Sequence, residues 1–309
     1  MHPLLIFRGD ILSKQSIYLR RLVVSSVFLA IALVLRMFFS FYMPLFGEAG
    51  MRVGISGIFV VMPAILFGPL FGGLTSGLMD ILGFMMRPVG NYLPLMGVVV
   101  TLGGVIRGAM WLILRGRAPG KLRIIVLMLA VSMLVFGFAN MFMLRASGVN
   151  VDFYENIAAT GAEIDTSNMF FIARWLIART QDVSNPSGML SSMITTVTMG
   201  PIGAAAFGFV LAGIDFFISS KLRKELSNNE NTSIMPLLLA MLTGSWFVNT
   251  LNTVILREML ITSWQLIPFA VVWLPRIIET TISTTVYAFF VALLLNVCKR
   301  QRAIQQLMR

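Results

Sequence analysis

The chain has 309 residues, of which 57% are hydrophobic and 12% are charged, and its mean hydropathy is +0.86. Soluble domains carry about a quarter charged residues, so water is not the main solvent of this chain. The formal net charge of +11 does not mark a nucleic-acid partner, because the basic residues stand at the ends of apolar segments and form no face of their own.

The only cysteine, Cys298, excludes a disulfide framework within the chain. The only histidine, His2, leaves no metal-ligand cluster, no Ser-His dyad and no HExxH site. An enzyme is therefore not expected, and no cofactor is implied. The N-terminal apolar run lacks a small-residue cleavage site and reads as a retained helix.

A membrane span needs about 20 apolar residues. Residues 1–21 are polar and basic and read as a tail. The predicted spans are Leu22–Phe46, the short Val53–Phe67, Leu70–Met86, Tyr92–Leu114, Ile124–Leu144, Met189–Ser219, Ile234–Leu256 and Pro268–Val297. Arg145–Gly188 is the longest polar segment, with Asp152, Glu155, Glu163, Asp165 and Asp182; within it Met169–Ala178 has the pattern of a helix lying on the membrane surface. Gly200-Pro201 is predicted to break the sixth span. Residues 299–309 form a basic tail.

Eight spans with the N-terminus inside place 15 of the 24 basic residues in inner segments and the five clustered carboxylates outside. This predicts an all-α polytopic protein of the cell membrane with about eight transmembrane helices and both termini cytoplasmic. FANMFMLR (Phe138–Arg145) and TLNTVILR (Thr250–Arg257) echo each other, as do TLGG (Thr101–Gly104) and TMGP (Thr198–Pro201). Duplication of a two-helix unit and chance likeness between apolar helices both account for this.

Met62–Pro94 is dense in small residues around a Gly68-Pro69 break. Glycines spaced three and four apart let helix backbones touch. Arg36, Asp80, Arg107, Asp215, Arg276 and Glu279 fall inside predicted spans, where a charge is costly and faces protein or water. Near a span end, Arg36 and Arg107 also suit snorkelling. Asp80 and Asp215 suit structural pairing with an arginine of a neighbouring helix. Arg276 and Glu279 stand three apart in WLPRIIETT, after Trp264 and Trp273. An arginine among aromatics at a membrane mouth suits a flat anionic ligand; an aromatic belt with an Arg-Glu pair on one helix fits the same residues. Asn249 and Asn252 share a helix face with partners to find, and Arg52 is a second cation in the outer turn. GRAPGKL (Gly116–Leu122) is not a P-loop, having three residues between its glycines and Leu122 in place of Ser/Thr. Asn231-Thr232-Ser233 matches a glycosylation acceptor but falls on the inner side.

The run from Arg52 to Gly104 resembles the substrate-binding S components of energy-coupling factor (ECF) transporters, and most of all their folate-type branch. The residues that carry the resemblance are Gly68-Pro69, Gly72/Gly73, Asp80 and Tyr92/Pro94, together with FVNTLNTVIL (Phe247–Leu256) and WLPRII (Trp273–Ile278). It covers about residues 20–120 and 232–298. The resemblance implies a solute-capturing subunit without its own ATPase, a transmembrane coupling subunit and two cytoplasmic ATPase subunits as partners, and a folate-like or other vitamin as solute. It implies a solute contact from Arg276, and the expected solute-binding set is Arg276, Trp273, Asn249, Asn252, Tyr92, Arg52 and Trp264. Ser26 and Ala30 stand nearest the family's Ala-x-x-x-Ala docking pattern on the first helix, and Gly68 and Pro69 are a second candidate docking surface. Asp80, Asp215 and Glu279 are read as structural charges, Asp80 bracing the Tyr92 turn. Six helices are usual in the family, so residues 124–231 read as an insertion or duplication within the membrane domain 22–298, with 145–188 as its outer loop. The competing readings are a stand-alone ion-coupled secondary transporter using Asp80 and Asp215, a carboxylate-based membrane enzyme, and a membrane scaffold.

Overall fold

The computed structural model describes residues 3–45, 48–88, 91–161, 164–180, 185–225, 234–265, 269–301, 304 and 306–307. Glu163, Asp182, Asn231–Ser233, Arg302 and Arg309 lie outside the described residues, as do the side chains of Arg8, Lys14, Arg52, Lys221, Arg223 and Lys224.

Helix α1 (Pro3–Phe38) leads into a hairpin of β1 (Ser40–Leu45) and β2 (Glu48–Gly54). Then follow α2 (Gly57–Phe67), α3 (Pro69–Met86), α4 (Pro94–Leu114), α5 (Pro119–Ala146), α6 (Phe153–Thr160), α7 (Phe171–Thr180) and α8 (Pro186–Glu225). Helix α9 (Met235–Ile255) continues into a π turn (Leu256–Leu260), and α10 (Thr262–Gln265) and α11 (Phe269–Arg300) close the chain. Among the described residues, seven helices are long and apolar enough to cross a membrane, and α2 is a shorter apolar helix. The chain is an all-α polytopic membrane protein, apart from one hairpin.

Three local expectations are corrected. The first span was expected to reach Phe46, but α1 stops at Phe38, where the Ser40 hydroxyl donates back to the Arg36 carbonyl at 2.5 Å. The aromatic run Phe41-Tyr42 and Pro44 then favour strand over helix, and Ser40 pairs with Gly54 and Tyr42 with Arg52. Residues expected as a polar tail are helical from Pro3. Gly200-Pro201 does not break α8, which carries Pro201 inside it. Proline cannot bond the carbonyl four residues earlier, here that of Val197, and Asn140 on α5 donates its side-chain amide to that carbonyl at 2.9 Å. A neighbouring helix thus satisfies the group that the proline leaves open, as membrane helices require.

Contacts divide the chain into two compact units. The first comprises Met1–Arg117, Ile234–Leu266 and Pro275–Arg309. Its centre is α2, where Val61–Leu66 are all buried. The turn at Gly68 adopts φ 95°, a left-handed backbone natural only to glycine, and Pro69 then opens α3. Helices α3 and α4 cross backbone to backbone: a Cβ at Gly104 would strike the Gly72 carbonyl and the Ser76 hydroxyl. Leu29 and Ala32 of α1 pack on Met79 of α3. Helix α11 is tied to α9 by Trp246 donating to Thr281 at 2.9 Å, and to the end of β2 by the Tyr287 hydroxyl donating to the Gly54 carbonyl.

The second unit comprises Ala118–Ser233 and Ile267–Leu274. Helices α5 and α8 pair closely, Gly137 resting on the Thr198 carbonyl and Ile202. Asp215, 3% exposed, is held by Arg123 at 2.5 Å, and that guanidinium also lies over Phe216. The expected surface helix at Met169–Ala178 is α7, and its buried stripe Ala173, Leu176 and Ile177 packs on protein, with Leu144, Phe153, Leu190 and Met193.

Candidate ligand-binding cavity

The first unit encloses a cavity of about 440 Å³ walled by α1, the hairpin, α2, α3, α4, α9 and α11. Arg36, Arg87, Arg107 and Arg276 line it against two carboxylates, Asp80 and Glu279, a net charge of +2.

Arg276 enters from the first turns of α11. Its Nε donates to the Asn249 side-chain oxygen at 3.3 Å, and its guanidinium lies 5.7 Å from the centroid of the Trp264 ring. Trp264 is fully buried. Asn249 spans the gap between α9 and α11: its amide donates to the Arg276 carbonyl at 2.8 Å and to the Thr280 hydroxyl. Asn249 therefore orients the guanidinium and ties the helix that carries it. The Glu279 carboxylate takes the Thr280 hydroxyl at 3.4 Å.

Across the cavity, the Tyr92 hydroxyl hydrogen-bonds Asp80. Partial desolvation first and the Asp80 charge second push the phenol above its ordinary value of 10.0, so it stays a donor through neutral pH. The Tyr92 ring packs on Phe84, with centroids 4.9 Å apart. At the rim, Arg87 donates to the Ser40 carbonyl at 3.0 Å and stands over the Tyr42 ring, joining the end of α3 to the hairpin. Arg36 reaches inward to the Met79 carbonyl at 2.8 Å, through space that Gly83 leaves open.

The structure thus brings Arg276, Asn249, Asn252, Tyr92, Asp80 and Glu279 to one cavity. Trp264 backs Arg276 from outside the lining. Trp273 is not in that lining and stacks on Phe269, with centroids 6.2 Å apart. The Arg52 backbone is on β2, opposite Tyr42. Ser26 and Ala30 are exposed on α1, Gly68 is buried, and α4 meets Pro69 at Gly108. Asp215 belongs to the second unit. Sequence reading passed over Tyr42, Ser76 and Tyr287 as cavity residues. Arg36 and Arg107 were visible as charges at membrane depth, but snorkelling explained them equally well.

The family described as ECF transporter, substrate-specific component, matches residues 20–183, just over half of the chain. The chain is 39% identical over 57 residues to the folate transporter FolT of Clostridium novyi (strain NT), which is 18% of this chain and 33% of that protein. The match thus spans about a third of the relative's length. No solved structure matches the chain. The chain, with its apolar helices and charged cavity, belongs to the substrate-specific component family of ECF transporters.

Proposed function

We propose that this chain captures a small, flat, anionic solute of the folate-like vitamin class from outside the cell membrane. It delivers the solute through a transmembrane coupling subunit driven by two cytoplasmic ATPase subunits. The carrying observation is the cavity wall, four arginines against two carboxylates. Such an excess of cation in a membrane is stable when an anion completes it. The partial likeness to a folate transporter supports the solute class.

In this reading Arg276 pairs with the solute's anionic group, held by Asn249 and backed by Trp264. Asn252 and Tyr92 contribute polar contacts. Asp80 braces Tyr92, and Asp215 and Glu279 are structural. Ser26, Ala30 and Pro69 face the coupling subunit, with Gly68 buried at the turn that presents Pro69, and both termini are cytoplasmic. Residues 124–231 are an addition to a six-helix core, consistent with their separation as a compact unit.

Mass spectrometry of the small molecule that copurifies with the protein tests this reading. The expected result is an anionic, ring-bearing solute retained by the wild type and lost from Arg276→Ala. Wild-type protein that retains no solute and does not bind added folic acid refutes the solute class.

A further inference from the structure

The cavity holds a second cation that its own wall does not satisfy. Arg107 is on α4, thirteen residues past Pro94, about 20 Å along the helix. That is far from the mouth at Tyr92 and Arg87. Its Nε is buried and has no hydrogen-bond partner among the described residues. Neither carboxylate of the wall is committed to it: Asp80 holds Tyr92, and Glu279 shares the helix of Arg276 and takes the Thr280 hydroxyl. Arginine does not shed its proton to escape burial, so the charge persists.

The surroundings keep this guanidinium in place. A Cβ at Gly244 on α9 would collide with the Arg107 stem, so the glycine leaves a slot for it. One turn above on α4, Gly104 abuts the Ser76 hydroxyl, which is also buried without a partner among the described residues and also lines the cavity. Helical side chains lean toward the helix N-terminus, which for α4 is the mouth end, so Arg107 reaches up into the cavity. Asn249, the partner of Arg276, stands five residues past Gly244, about 8 Å along α9. The two cationic poles are therefore at different depths.

We infer that Arg107, with Ser76 beside it, anchors a second anionic group of the solute at the end of the cavity away from Tyr92, so that the chain selects dianions over monoanions. This rests on the reading of the cavity as the solute site. An anionic group there would accept from the guanidinium and from the Ser76 hydroxyl, completing both. A monoanion held at Arg276 would leave Arg107 uncompensated, and the deficit would appear as lost affinity.

The test uses the full chain in lipid nanodiscs, with folic acid and pteroic acid as probes. Pteroic acid keeps the ring system and one carboxylate but lacks the glutamyl dicarboxylate. Wild-type protein is expected to prefer folic acid about 10- to 100-fold, the worth of one charge-assisted hydrogen-bonded contact. Arg107→Gln should remove that preference with little change for pteroic acid, and Arg107→Lys, which keeps the charge, should restore part of it. Equal weakening of both probes by Arg107→Gln, or an unchanged preference, overturns the inference. The melting temperature of solute-free protein is read in parallel. Arg107→Leu should raise it, because an uncompensated charge is removed; a fall means that the arginine serves packing, and overturns the inference whether or not either probe binds. If neither probe binds the wild type, the folate-like reading fails, and the melting result alone decides the role of Arg107.

Discussion

Replacing Arg276 by alanine separates binding from folding. The guanidinium stands as a cation over Trp264 at 5.7 Å and donates to Asn249 at 3.3 Å. A charge-assisted hydrogen bond to a solute carboxylate is worth about 1.5–3 kcal/mol, and stacking on a guanidinium already seated on tryptophan adds about 1 kcal/mol. Together these give about 2.5–4 kcal/mol, or roughly a 60- to 700-fold loss of affinity. The fold should tolerate the change. The Asn249 amide bonds the main-chain carbonyl of residue 276, which alanine keeps, and α11 stays tied through Trp246 to Thr281 and Tyr287 to Gly54. Calorimetric titration with folic acid measures the loss, and a circular-dichroism melt checks the fold. Affinity within threefold of wild type, with an unchanged melt, refutes the assignment of Arg276 to the solute.

Four other outcomes are expected. Asn140→Leu should destabilise by about 1–3 kcal/mol, because the Val197 carbonyl freed by Pro201 is left unsatisfied; the remedy is to restore its N–H, so Pro201→Ala should recover part of the loss in the double variant's melt. Gly104→Val should cost about 1–3 kcal/mol by driving α3 from α4, read as a lower melting temperature. Asp215→Ala should lower the melting temperature more than the Arg123→Ala/Asp215→Ala pair, since the single change strands the Arg123 guanidinium. Tyr92→Phe removes the hydroxyl that bonds Asp80. The folded protein holds the phenolic proton more tightly than the unfolded chain, so this stabilisation is present below pH 10 and lost as pH rises past the raised value. The wild-type melting temperature should therefore fall relative to Tyr92→Phe on passing from pH 9 to strongly alkaline buffer.

The helices were legible because their determinants are local and one-dimensional. Twenty apolar residues make a span wherever they occur, and Gly68-Pro69 ends one helix and begins the next by backbone geometry alone. The hairpin was hidden because Ser40–Leu45 is as apolar as the helix before it, and hydropathy counts cannot tell strand from span there. Pro201 misled for a different reason: the group that permits a continuous α8 is the Asn140 amide, about sixty residues away in sequence and on another helix. The charges at membrane depth were visible one by one. Their gathering was not, because it depends on how α1, α3, α4, α9 and α11 face one another. Arg107 shows this most clearly. In sequence it reads as a span-end arginine free to snorkel, but Gly244 across the interface gives its stem a slot in the cavity wall.

The central claim, a solute-capturing subunit that depends on partner ATPases, is tested most directly by purifying the tagged chain from its native host under mild detergent and identifying the bound proteins. The account predicts a complex of four chains: this one, a transmembrane coupling protein and two ATPases. A chain that purifies alone, and that accumulates solute in proteoliposomes under a proton gradient without any ATPase, would contradict it.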